Sequence, residues 1–76
     1  MPLKPATTIA KHSVMVAGHR TSISLETAFW DALAETARQR GQAMSTLIAE
    51  IDQSRAEANL SSAIRVFVLM QARANQ

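Results

Sequence analysis

In the stretch GHRTSISLETAFWDAL, residues 18 to 33, the spacing of apolar residues changes period with no loop between the two patterns. Thr21, Ile23 and Leu25 alternate with polar neighbours, as in a strand with one buried face. Phe29, Trp30, Leu33 and Ala37 then recur at helical intervals. A strand joined directly to a helix must lay its apolar side under that helix. Its backbone donors and acceptors still need another strand, because a helix cannot satisfy them. A chain of 76 residues makes one domain at most, and a core built by one copy alone is marginal. The expectation is therefore an α+β fold completed as a homodimer, with the Arg20–Leu25 segment paired with the same strand of a second copy and its apolar side over the helices.

Upstream, Val14 and Val16 are apolar at even positions, whereas Thr21, Ile23 and Leu25 are apolar at odd ones. A straight strand cannot put both sets on one face, so the chain must change course at Gly18. One solution is a two-residue type II′ turn at Gly18 and His19, which sets Val16 opposite Thr21 and Val14 opposite Ile23. The other is a bulge within one long strand. The element preceding the helices is thus an N-terminal strand or hairpin. Residues 1–11 hold both prolines and scattered apolar residues, the pattern of a flexible arm, leaving 12–74 as the single domain.

Three helices should follow. The first runs from about Glu26 to Arg40 and stops at Gly41 in the left-handed conformation. The second starts near Met44 or Ser45, carries Leu47, Ile48 and Ile51 inward and ends near Ala58. Asn59 or Ser61 caps the third, whose inner residues are Leu60, Ile64, Phe67, Val68 and Gln71. Val66, Leu69 and Met70 make that last helix apolar nearly all round, so it calls for more cover than its own chain provides.

Charge is unevenly placed although the net value is only +2. Residues 1 to 25 hold Lys4, Lys11 and Arg20 and no acid, while all six acids lie between Glu26 and Glu57. The strand end is therefore the basic end. The absence of cysteine rules out disulfides and thiolate zinc sites and fits a reducing cytoplasm. No apolar run reaches the ~20 residues of a membrane span, and the first eleven residues lack the apolar centre of a signal peptide.

The span RTSISLETAFWDAL, the helix-ending Gly41, and the short step QAM into STLIAEI resemble the ribbon-helix-helix proteins that include the Arc and MetJ repressors. With HSVMVAGHR before it and NLSSAIRVFVL after it, the resemblance covers roughly residues 12 to 70. The tail looks like that of a group of small bacterial proteins assigned to this fold. The resemblance implies an intertwined dimer whose two-stranded ribbon enters the major groove of double-stranded DNA. By position it assigns base contacts to Arg20, Ser22 and Ser24, and phosphate contacts to Met44, Ser45 and Thr46 at the start of the second helix. The chemistry suits those assignments: arginine makes two hydrogen bonds to guanine, serine contacts several bases, and helix N-termini attract anions.

The remaining polar residues suggest no other chemistry. His12 and His19 have no carboxylate nearby in sequence, which leaves them as solvated or phosphate-facing imidazoles with no metal and no cofactor expected. The hydroxyl residues lack a patterned base and orienter, and Glu50 and Asp52 point to different sides of a helix, so no enzyme is expected. Trp30 reads as core from its spacing to Leu33 and Ala37. Arg65, among apolar residues, either pairs with an acid of the first two helices or marks a binding surface. The leading expectation is a homodimeric DNA-binding transcriptional regulator. The alternative is a protein-interaction module on the same fold, using a hairpin-widened sheet and the third helix to engage another protein.

Overall fold

The reversal at Gly18 is a hairpin. A computed structural model of the chain describes residues 5–75, in which β1 (Ile9–Val16) and β2 (His19–Glu26) pair antiparallel. Three helices follow: α1 (Thr27–Arg40), α2 (Met44–Ser54) and α3 (Leu60–Ala74). The central turn residues are Ala17 and Gly18, with φ of 51° and 83°. Positive φ at both positions makes the turn type I′, whose twist matches that of the flanking strands. This corrects the sequence expectation of a type II′ turn at Gly18 and His19. Val16 lies opposite His19, Val14 opposite Thr21 and His12 opposite Ile23. This register carries Val16 into the core next to the turn and brings His12 over α1.

The inner face of the hairpin supplies Val16, Ile23 and Leu25 to the core, where they meet Leu33 and Ala37 of α1, Leu47, Ile48 and Ile51 of α2, and Ile64 of α3. Every element thus contributes at least one buried apolar side chain, and no polar side chain is buried among the described residues. Val14, Phe29, Trp30, Leu60, Phe67 and Val68 pack around this centre.

Local chemistry sets the helix ends. At the end of α1, Gly41 takes φ 66°, its N–H donates to the Arg38 carbonyl, and the Gln42 N–H donates to the Ala37 carbonyl. That double closure is the one a left-handed glycine allows. Asn59 caps α3, its side-chain oxygen accepting from the Ser62 N–H at 2.8 Å. The end of α2 departs from the expected Ala58: Ala56 turns left-handed at φ 55° and the helix stops at Ser54. Arg55 ties this exit, donating to the Asp52 carboxylate at 2.6 Å and to the Ala58 carbonyl at 2.7 Å.

The stretch read as an arm is structured at its inner end. Residues 9 to 11 belong to β1, and residues 1 to 4 lie outside the described residues. Between them, the Ala6 and Thr8 carbonyls accept from the N–H groups of Ala28 and Thr27, and the Thr27 hydroxyl donates to Thr8 as well. The first turn of a helix has N–H groups with no partner inside the helix, and this segment satisfies two of them. No helix among the described residues is long and apolar enough to cross a membrane.

Candidate functional site

Because Ile23 and Leu25 must face the helices, Arg20, Ser22 and Ser24 point the other way, and all three are exposed. The hairpin register adds a second row. Met15 lies opposite Arg20, Ser13 opposite Ser22 and Lys11 opposite Ser24, each exposed on the same outer side. Sequence reasoning missed these three residues. The signal was present, since apolar Val14 and Val16 already put odd-numbered β1 residues on the opposite side, but Lys11 was assigned to the arm.

A two-residue turn makes its flanking residues, Val16 and His19, a hydrogen-bonded pair. Alternation then directs the backbone N–H and C=O groups of Arg20, Ser22 and Ser24 away from β1. The Ser24 carbonyl confirms that direction, accepting from the Ser61 hydroxyl of α3 at 2.9 Å. One edge of Arg20–Leu25 is therefore filled by β1 of the same chain. The other is free of any strand among the described residues.

The electrostatics of this face follow from which cations are already engaged. On the helices, Arg38 pairs with Glu35, Arg55 with Asp52 and Arg65 with Glu26, while Arg40 lies 5.3 Å from the ring centre of Phe67. On the hairpin, neither Lys11 nor Arg20 has a carboxylate partner among the described residues. The acid at the end of the same face, Glu26, is held by Arg65 in a two-pronged contact at 2.8 and 3.2 Å. The outer face is thus left with two unpaired positive charges and three hydroxyls.

The Arg65–Glu26 pair settles the role of Arg65 as a tie between α3 and the strand–helix junction. Hydrogen bonding from the guanidinium, helped by the Glu26 backbone, holds the Glu26 carboxyl below its ordinary 4.5. A carboxyl whose pKa is lowered by folding stabilises the folded chain fully above its unfolded value, and that contribution fades as pH falls through the lowered folded value. Glu26→Gln is therefore expected to flatten part of the acid loss of stability. Urea unfolding midpoints followed from pH 7 to pH 3 check this, and parallel curves for the two proteins would contradict it.

At the start of α2 the three candidate residues are differently placed. Met44 packs its side chain against the core, Ser45 is partly buried and Thr46 is exposed. Ala43 precedes the helix without a side-chain cap, and its carbonyl accepts from the Thr46 and Leu47 N–H groups. The N–H groups of Met44 and Ser45 head the helix and are the ones an anion would meet. The Met44 side chain itself is occupied in the core.

His12 is half-buried, and not the freely solvated or phosphate-facing imidazole of the sequence expectation. It lies on the inner side of β1 and stacks on Trp30 with ring centres 3.6 Å apart and planes 1° from parallel. His19 is exposed at the turn. On α3, Val66, Leu69 and Met70 are each more than half exposed. They border two grooves, of about 320 Å³ against the end of α2 and about 380 Å³ against Phe29.

Comparison with known proteins agrees with this architecture. A family sequence model described as "Ribbon-helix-helix domain" matches residues 9–72. Among solved structures, an uncharacterized protein from Bordetella pertussis Tohama I is similar, with a TM-score of 0.76 and 29% identity over 93% of this chain. The match spans 64% of that protein's chain, so the likeness covers less than two thirds of its length. No curated protein matches the sequence.

Proposed function

The chain belongs to the ribbon-helix-helix domain family, whose members typically dimerise and bind DNA, and from that premise we propose that it is a homodimeric DNA-binding transcriptional regulator. The observation that carries this reading is the outer face of the hairpin, which presents Arg20, Ser22 and Ser24 to solvent, with neither Arg20 nor Lys11 paired to a carboxylate among the described residues. In this reading Arg20 makes two hydrogen bonds to a guanine edge in the major groove, and Ser22 and Ser24 contact adjacent bases. Phosphate is held by the N–H groups of Met44 and Ser45, with the Thr46 hydroxyl beside them. A second copy presents the same face again, so the recognised duplex contains two related half-sites.

Selecting a duplex from a random pool and titrating it by fluorescence anisotropy tests the assignment. Arg20→Ala is expected to weaken binding to the selected duplex by about 1–3 kcal/mol, with unfolding unchanged because the side chain is exposed. Unchanged affinity overturns the reading.

The tight reversal at Ala17 and Gly18 and the exposed Val66, Leu69 and Met70 favour a second reading, in which the chain is a protein-interaction module. If two β2 edges paired, the sheet would have four strands, about 14 Å between its outer strand axes at ~4.8 Å per step. That is wider than a major groove of about 12 Å. Recovery of one stoichiometric protein partner, together with no retardation of pooled genomic fragments at low salt, would select this reading.

A further inference from the structure

We infer that Lys11 of β1 holds a DNA phosphate at the rim of the major groove, so that each copy adds one backbone contact from a strand lying outside the pair that reads bases. This rests on the DNA-binding reading, with the two β2 strands of the dimer paired along their free edges, and extends it to β1, which that reading leaves without a role.

The first support is width. Neighbouring strands lie ~4.8 Å apart, so in a sheet ordered β1–β2–β2–β1 the β2 axes stand about 2.4 Å and the β1 axes about 7.2 Å from the two-fold axis. A major groove about 12 Å wide has its walls about 6 Å from the midline. The paired β2 strands therefore lie within the groove, and each β1 lies over a wall, where the phosphates are. The excess width that keeps four strands from entering together is what sets β1 against the DNA backbone.

The second support is charge. Lys11 is exposed on the outer side of β1, opposite Ser24 and on the same side as Arg20 and Ser22, and β1 itself contains no acid. A lysine ammonium is a compact charge on a flexible stem, which suits a phosphate oxygen.

The third support is what the fold does with the acid on that face. Glu26 ends the outer row of β2, two residues beyond Ser24, which makes it a diagonal cross-strand neighbour of Lys11. Such neighbours are ~7–8 Å apart at the backbone, within reach of long side chains. Arg65 of α3 instead occupies both carboxylate oxygens of Glu26, at 2.8 and 3.2 Å, and Lys11 makes no ion pair among the described residues. Arg65 thereby withdraws the carboxylate that would neutralise Lys11 and leaves that charge available to an external anion.

The test uses the full-length chain, the duplex it selects from a random pool and an unrelated duplex of equal length. Affinities of wild type, Lys11→Ala, Lys11→Arg and Arg20→Ala are measured between about 50 and about 200 mM salt. Lys11→Ala should lower the slope of log affinity against log salt by about 1.8, two contacts per dimer at ~0.9 each, so its deficit shrinks about tenfold across that range. It should weaken both duplexes by the same factor, because phosphates carry no sequence, and Lys11→Arg should restore the wild-type slope. If Arg20→Ala weakens binding to the selected duplex while Lys11→Ala keeps the wild-type slope, β1 stands clear of the phosphates and the inference is overturned with the DNA-binding reading intact. A loss by Lys11→Ala on the selected duplex alone makes Lys11 a base contact and overturns it equally. If the wild type retains no duplex, or Arg20→Ala binds as well as wild type, the DNA-binding reading falls and this inference falls with it.

Discussion

Replacing Leu25 with asparagine is expected to cost about 3–5 kcal/mol of folding free energy, whereas the same replacement at Ser24 should change it by less than about 0.5 kcal/mol. Leu25 is 0% exposed on the inner face of β2, and Ser24 is exposed on the outer face. At Leu25 the change removes the burial of a full leucine side chain, worth about 1.5–3 kcal/mol, and puts an amide where no polar side chain is buried. At Ser24 the new amide meets water. A single step along the strand thus separates a severe variant from a neutral one, and chemical denaturation reads the contrast directly. Equal destabilisation by the two variants would mean that the outer face is covered or that the register is wrong. A neutral Leu25→Asn would remove the inner face from the core.

Ile64→Ala is the second large effect, expected to cost about 2–5 kcal/mol. Ile64 is 0% exposed and is the one fully buried side chain that α3 contributes. A domain of this size has a net stability on the order of 0.05–0.15 kcal/mol per residue, so this one truncation removes a large share of it. The variant should therefore melt at a much lower temperature or fail to fold at room temperature. Val66→Ala, two residues along the same helix but 59% exposed, provides the comparison and should cost less than about 0.5 kcal/mol. A cost near that of Ile64→Ala would show that another surface covers the exposed stripe of α3 in solution. If Ile64→Ala proved neutral, α3 would be an appendage and the core would consist of the hairpin with α1 and α2.

Much of the candidate site was legible before folding was considered. Alternation placed Arg20, Ser22 and Ser24 on one side of a strand, and the count of acids and bases placed the basic end of the chain there. Lys11, Ser13 and Met15 joined them only when pairing set β1 beside β2. The pairing of Arg65 with an acid was anticipated, but its identity was not. The partners are 39 residues apart, and only the packing of α3 against the strand–helix junction brings Glu26 within reach.

What the sequence determined by itself is what neighbouring residues decide. Period-two spacing made a strand of Arg20–Leu25, helical spacing made α1 and α3, Gly41 ended α1 in the conformation glycine adopts at least cost, and the cap of α3 was narrowed to Asn59 or Ser61, of which the structure uses Asn59. The tertiary structure decided the register and the exit from α2. Alternation is blind to a shift of two residues, so pairing Val14 with Thr21 or with Ile23 leaves the same side chains facing inward. What separates those registers is packing, with Val16 seated in the core and His12 stacked on Trp30. The end of α2 was set in the same way. Up to Ala58 the residues tolerate a helix, and the turn at Ala56, tied by Arg55 to Asp52 and Ala58, delivers α3 back onto the core. Local propensity could not choose between these outcomes because both satisfy it, and burial of apolar surface over long separations does.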